Sequence, residues 1–122
     1  MTKKILIADD SPTALLMTKS VVGRLGCTIV TAKDGVEAVA KALVEKPDLI
    51  LLDVVMPNLD GFGACRRLRA EEATRTTPII MVTTRGEENN VETGYSCGCS
   101  DYLTKPINNV ELIEKVKRFL GI

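Results

Sequence analysis

Residues 49–61 read LILLDVVMPNLDG. Four apolar side chains, Leu49, Ile50, Leu51 and Leu52, run directly into a carboxylate, Asp53. An unbroken apolar run of this length suits a strand buried on both faces, where an ionised group is least welcome. Strands of that kind belong to parallel sheets covered by helices, and the rest of the chain carries the same pattern. Further short apolar runs fall at 5–8, 28–32, 79–82 and 102–103, with helical spacing in the gaps. Parallel strands need crossovers of a dozen or more residues, and every gap supplies one. Right-handed crossovers then point to an α/β fold, a doubly wound open sheet of five strands and five helices.

The helices announce their ends and their inner faces. Ser11 reads as an N-cap with Pro12 at the first helical position. Leu15, Thr18, Val22 and Leu25 then recur on one face before Gly26 closes the helix. The second helix follows Asp34-Gly35 with Val36, Val39, Ala40 and Leu43 as its stripe, and Pro47 lies beyond its end. The third follows Asp60-Gly61, which reads as a turn. It carries Phe62, Cys65 and Leu68 inward and shows Arg66, Arg67 and Arg69 mostly outward, as a solvated face. The fourth, around 87–96, has little apolar face beyond Val91 and Tyr95. The last, about 109–120, buries Leu112, Ile113, Val116 and Leu120 and exposes Lys115, Lys117 and Arg118.

At 122 residues the chain suits one domain with one core, and 45% apolar residues suffice to fill it. No stretch approaches the roughly 20 apolar residues of a membrane span. The run at 5–8 is too short for a signal-peptide core and ends in two acids, so neither leader nor membrane insertion is expected. A cytoplasmic protein is the expectation. Sixteen basic residues balance sixteen acidic ones, with no Trp and only two Tyr and two Phe, so nothing suggests direct nucleic-acid binding. Of the four cysteines, Cys27 and Cys65 fall in apolar-periodic stretches and read as small core residues. Cys97-Gly98-Cys99 lacks the second pair or the histidine of a zinc site and reads as structural filler.

In an open α/β sheet, ligands bind beyond the carboxyl ends of the strands, where strand order reverses. The residues that follow the apolar runs therefore matter most. Asp9 and Asp10 follow the first, Asp53 the third, Thr83 and Thr84 the fourth, and Thr104, Lys105 and Pro106 the fifth. Three carboxylates, a hydroxyl and an ammonium would meet at one edge. Two like charges ~4 Å apart cost about 4 kcal/mol at an effective dielectric near 20. Either a pKa rises or a cation sits among them, and oxygen-only ligands select a hard ion such as Mg²⁺. A carboxylate can itself attack phosphorus, and phosphoryl transfer asks mainly for positioning and for charge on the equatorial oxygens. Mg²⁺, Lys105 and Thr83 would supply that.

Asp9-Asp10, Asp53 with Met56-Pro57 and Asp60-Gly61, Thr83, and Lys105-Pro106 together resemble the receiver domain of two-component response regulators, in a stand-alone, CheY-like form. The resemblance runs the whole chain, residues 1–122, and implies a flavodoxin-like sheet in the order 2-1-3-4-5. It implies that Asp53 accepts a phosphoryl group from a histidine kinase. Asp10, Asp53 and the backbone carbonyl of Val55 would ligate Mg²⁺ directly, and Asp9 would act through a water. Lys105 would pair with a phosphoryl oxygen, and Thr83 would move to the phosphoryl group and free space for Tyr102 to turn inward. The Lys105–Pro106 bond would be cis. A downstream target protein would read the change on the face of the fourth helix, fifth strand and fifth helix. Chemotaxis or another form of motility control is one setting for such proteins.

Thr84 stands where the family usually has a smaller residue, and its bulk is expected to slow attack by water on the phosphoryl group. Three other readings compete. An aspartyl phosphohydrolase of the haloacid-dehalogenase type would need a second acid two residues after the nucleophile, where this chain has Val55. A phosphorylation-independent binding module would have little use for the intact acid site. The chain could also be a receiver cut from a longer regulator. As a switch it would turn over nothing but its own phosphoryl group.

Overall fold

Strand and helix alternate five times in the computed structural model, which describes residues 2–84 and 88–122, the side chains of 88–90 excepted. The order is β1 (Lys4–Ala8), α1 (Pro12–Gly23), β2 (Thr28–Ala32), α2 (Gly35–Glu45), β3 (Leu49–Asp53), α3 (Gly61–Ala70), β4 (Ile79–Thr84), α4 (Glu88–Ser96), β5 (Asp101–Lys105) and α5 (Asn109–Leu120). All strand pairs are parallel, in one sheet ordered β2-β1-β3-β4-β5. This is the doubly wound sheet expected from the alternation, in the flavodoxin-like order that the receiver resemblance implies.

The apolar runs are buried because helices cover both faces. All five residues of β3 are buried, Asp53 included. Ile5, Leu49, Leu51 and Ile80 pack against Val22 of α1 and Leu112 and Val116 of α5. Leu6, Ile50, Leu52 and Met81 pack against Ala38 and Ala42 of α2 and Ala64, Cys65 and Leu68 of α3. Each fully buried aliphatic side chain contributes about 1.5–3 kcal/mol against leaving it in water. Among the described residues, four helices start on a side-chain cap: Ser11 accepts from the Ala14 amide, Asp34 from Glu37, Asp60 from Gly63 and Asn108 from Glu111. Such a cap is worth ~1 kcal/mol.

The inner faces differ from expectation in instructive places. On α2 the buried residues are Gly35, Ala38 and Ala42, while Val36 is exposed and Ala40 lies outside the core. A Cβ on Gly35 would fall 2.0 Å from the Leu59 carbonyl oxygen, so α2 approaches too closely for larger side chains there. The same logic operates on α4, where Gly94 is buried, Val91 is half-buried and Tyr95 is exposed. The first residue expected in that helix, Glu87, lies outside the described residues. Helix α1 ends three residues before Gly26, whose φ of 77° takes the left-handed turn. Leu15, Thr18, Leu25, Cys27 and Ile113, expected inside, are only half-buried.

Two cations expected in solvent are tied down instead. Arg69 donates to the carbonyls of Gly98, Thr74 and Thr77 and faces the Ser100 hydroxyl. Lys115 is drawn to the edge of β5, where it donates to Asp101 and to the Tyr102 carbonyl. Among the described residues, no helix is long and apolar enough to cross a membrane.

Candidate functional site

Strand order reverses between β1 and β3, which leave the sheet side by side. Ala8 is the register partner of Leu52, so Asp9 emerges abreast of Asp53. Asp53 pairs with Val82 of β4, and Lys105 of β5 pairs with Thr84. The topology thus delivers the acids and the lysine to one edge. Lys105 Nζ lies 3.0 Å from Asp9 Oδ2 and 3.3 Å from Asp53 Oδ2, a single ammonium shared by two carboxylates. Both acids are only 7% exposed, whereas Asp10 beside them is open to solvent. Carboxylate oxygens of Asp9, Asp10 and Asp53 all lie within 4.8 Å of one another.

One lysine does not neutralise this cluster. Burial, and then the charge of Asp9, push the Asp53 carboxyl up to about 6, with Lys105 pulling the other way and failing to cancel them. Burial works against the charge on Lys105, but its hydrogen bond to Asp9 and the charges of Asp53 and Asp9 outweigh that and raise its pKa. An oxygen-only donor set with one acid open to solvent and a surplus of negative charge fits a hard divalent cation.

The backbone around Asp53 explains the Asp60-Gly61 pair. A Cβ on Gly61 would fall 2.3 Å from the Asp53 carbonyl oxygen, and the Gly61 amide donates to the Val54 carbonyl. Asp60 caps α3, so the pair is more than a turn: it clamps the helix start against the end of β3. Asn58, at a φ of 68°, donates to Asp34 and ties the intervening loop to the start of α2.

The remaining expected residues are placed as follows. Thr83 is buried one position past the register partner of Asp53, and its hydroxyl makes a long 3.5 Å bond to the Leu103 carbonyl. Val55 is 63% exposed, two residues beyond Asp53. The Lys105–Pro106 bond is cis. Tyr102 is half-buried, with the Tyr95 ring edge-on at 6.1 Å and Lys115 Nζ 5.1 Å from its centroid. Cys97 and Cys99 are buried, all four cysteines are free, and burial pushes the Cys65 and Cys99 thiols up to about 11. Among the described residues the acid trio is the one grouping of three or more side chains suited to a metal.

Residues 5–117 match the family model of the response regulator receiver domain. The chain belongs to that family. The chain is similar to relatives of two different lengths. It is 39% identical over 118 residues to protein PilH of Pseudomonas aeruginosa, covering 97% of this chain and 98% of PilH. It is 42% identical over 120 residues to the alkaline phosphatase synthesis transcriptional regulatory protein PhoP of Bacillus subtilis, covering 98% of this chain. The chain spans about half the length of PhoP and of several other relatives that it matches. Among solved structures, chemotaxis response regulator CheY4 of Vibrio cholerae superposes with a TM-score of 0.91 at 33% identity, over 98% of this chain and 100% of that one. The receiver domain of sensor histidine kinase PA1611 of Pseudomonas aeruginosa superposes with a TM-score of 0.92 at 33% identity, over the whole of both chains, and holds a magnesium ion in its active-site cleft.

Sequence reasoning missed the receiver's second charged cluster. Asp101 Oδ1 accepts from the Tyr102 amide at 2.8 Å and from Lys115 at 3.0 Å, and Arg118 pairs with Oδ2. Burial opposes the charge on Asp101, but these partners together hold its carboxyl below the usual range. No periodicity signals this pairing, because it joins a strand start to a helix face through side chains that also suit solvent.

Proposed function

We propose that the chain, as a single receiver over residues 1–122, is a phosphorylation-activated switch. Asp53 accepts a phosphoryl group from the phosphohistidine of a histidine kinase, and a target protein reads the result on the face of α4, β5 and α5. The observation that carries this reading is the shared Lys105 ammonium inside the acid trio, at the point where strand order reverses.

In the transfer, an Asp53 oxygen forms the new O–P bond as the N–P bond to the imidazole breaks, and the imidazole leaves with the electron pair. A carboxyl with a pKa of about 6 is mostly ionised at neutral pH, so the nucleophile is available without a separate base. The end of a fully buried strand holds it in place, which is what a largely positional catalysis asks for. Lys105, 3.3 Å from Asp53 Oδ2, would pair with a phosphoryl oxygen and take up part of its charge. Thr83, on its long bond to Leu103, gives up little by turning its hydroxyl to the phosphoryl oxygens. Asp10, Asp53 and the Val55 carbonyl would hold Mg²⁺ directly and Asp9 through a water. When bound, the ion offsets the surplus negative charge of the carboxylates and phosphoryl oxygens. The magnesium ion in the PA1611 receiver supports the choice of metal.

The likeness to a chemotaxis response regulator supports a motility setting and a protein target rather than nucleic acid. The likeness to half of PhoP keeps open the same switch working within a longer regulator. The test is intact mass after incubation with acetyl phosphate, with and without Mg²⁺, on the parent and Asp53→Asn. One phosphoryl adduct that needs both Mg²⁺ and Asp53 is expected. No adduct under any condition would leave a phosphorylation-independent binding module.

A further inference from the structure

Tyr102 carries a set of contacts that the acid site does not require. The Tyr95 ring, at the carboxyl end of α4, meets it edge-on with planes 87° apart. Lys115 of α5 donates to the Tyr102 carbonyl at 2.6 Å and stands over its ring. The same ammonium donates to Asp101, which accepts from the Tyr102 amide and lies 3.5 Å from the Tyr95 hydroxyl. Lys115 and Asp101 side chains are only 18% and 14% exposed, so the pair works with little screening. Amide, carbonyl and ring of one residue are therefore all engaged by three side chains from α4, β5 and α5.

The register places Tyr102 and Thr83 on one face of neighbouring strands. Met81 pairs with Tyr102 and Thr83 pairs with Thr104, so Thr83 is the diagonal neighbour of Tyr102. A move of the ring toward Thr83 would give up the edge-on contact with Tyr95 and the stacking of Lys115. We propose that Tyr95, Lys115 and Asp101 form a latch that holds Tyr102 in its resting position, so that their contacts set how readily the receiver switches. The inference rests on the phosphorylation reading and deepens it. It makes Tyr95 and Lys115 positioning residues that act through Tyr102 and touch no reacting atom.

The chain offers a clean reporter. It has two tyrosines and no tryptophan, so Tyr95→Phe leaves Tyr102 as the single tyrosine while keeping the ring. In that background, acrylamide quenching of Tyr102 is measured with and without acetyl phosphate and Mg²⁺, alongside intact mass. Lys115→Met keeps the stem and removes the cation. It should move the resting quenching constant toward the phosphorylated value and speed adduct formation about three- to tenfold. Lys115→Arg should restore both. Tyr95→Leu, which also leaves Tyr102 alone, tests the second contact at an exposed position that folding tolerates. Resting quenching and adduct rates unchanged in both Lys115→Met and Tyr95→Leu, with a normal adduct, would overturn the latch and leave the switch standing. Absence of any adduct in the parent would overturn the switch and the latch with it.

Discussion

The two ends of β5 carry two charged clusters with opposite balances. At its carboxyl end, one lysine serves Asp9 and Asp53, with Asp10 close by, and the Asp53 carboxyl is pushed up to about 6. At its amino end, two cations and a backbone amide serve Asp101 alone, and its carboxyl is held low. Both side chains are largely shielded from water, 9% and 14% exposed, so accessible surface alone does not explain the opposite shifts. The ratio of cations to carboxylates does. A saturated cluster holds structure together, whereas an unsaturated one stores an appetite for positive charge that a ligand can satisfy.

Arg69 takes that comparison to its limit, since its described partners are carbonyls and a hydroxyl with no carboxylate. Arg69→Ala should cost about 3 kcal/mol by leaving the Gly98 and Thr77 carbonyls without that donor. Chemical denaturation would check this, and a loss below about 0.5 kcal/mol would mean that water replaces the guanidinium freely.

Asp53→Asn should act in the opposite sense. The unfolded carboxyl ionises near 3.8 and the folded one near 6, so the folded state binds more protons between those values. Stability then falls as pH rises through that window, and the full penalty is present above it. Removing the charge should stabilise the protein by about 2 kcal/mol at pH 7.5 in EDTA. Adding Mg²⁺ should stabilise the parent and narrow the gap. A destabilised Asp53→Asn would show that the acid end is as saturated as the other.

Asp101→Asn should destabilise by about 1 kcal/mol at neutral pH. Here the sign reverses. A carboxyl held low contributes stability that is present above its unfolded value of 3.8 and is lost as pH falls through its lower folded value. The parent and the variant should therefore converge in urea titrations run at progressively lower pH in the acid range below 4. Constant separation would sink the assignment. The smallest effect belongs to Thr84, exposed at the acid end of β4. Thr84→Ala should shorten the phosphoryl half-life by about threefold, less than 1 kcal/mol of barrier. An unchanged or longer half-life would remove Thr84 from the account.

The sheet was readable because each strand is an apolar run with a polar residue at one end, and the acid edge was readable because those polar residues follow the strands directly. Helix faces were less so. Periodicity weights large residues, and on α2 it selects Val36, whereas close approach to the Leu59 carbonyl makes Gly35, Ala38 and Ala42 the inner row. Arg69 and Lys115 escaped for a related reason. Long cationic side chains suit solvent and buried carbonyls equally well in sequence, and only the tertiary course of 97–101 brings acceptors to them. Asp60-Gly61 reads as a turn in either case, and its clamp on Asp53 becomes visible only once α3 meets β3.

Locating the phosphoryl group chemically tests Asp53 as the phosphoacceptor most directly. The parent would be treated with acetyl phosphate and Mg²⁺, reduced with borohydride to convert an acyl phosphate to an alcohol, digested and sequenced by mass spectrometry. Homoserine is expected at position 53 and nowhere else. Homoserine at position 9, 10 or 60, or at none, would contradict it.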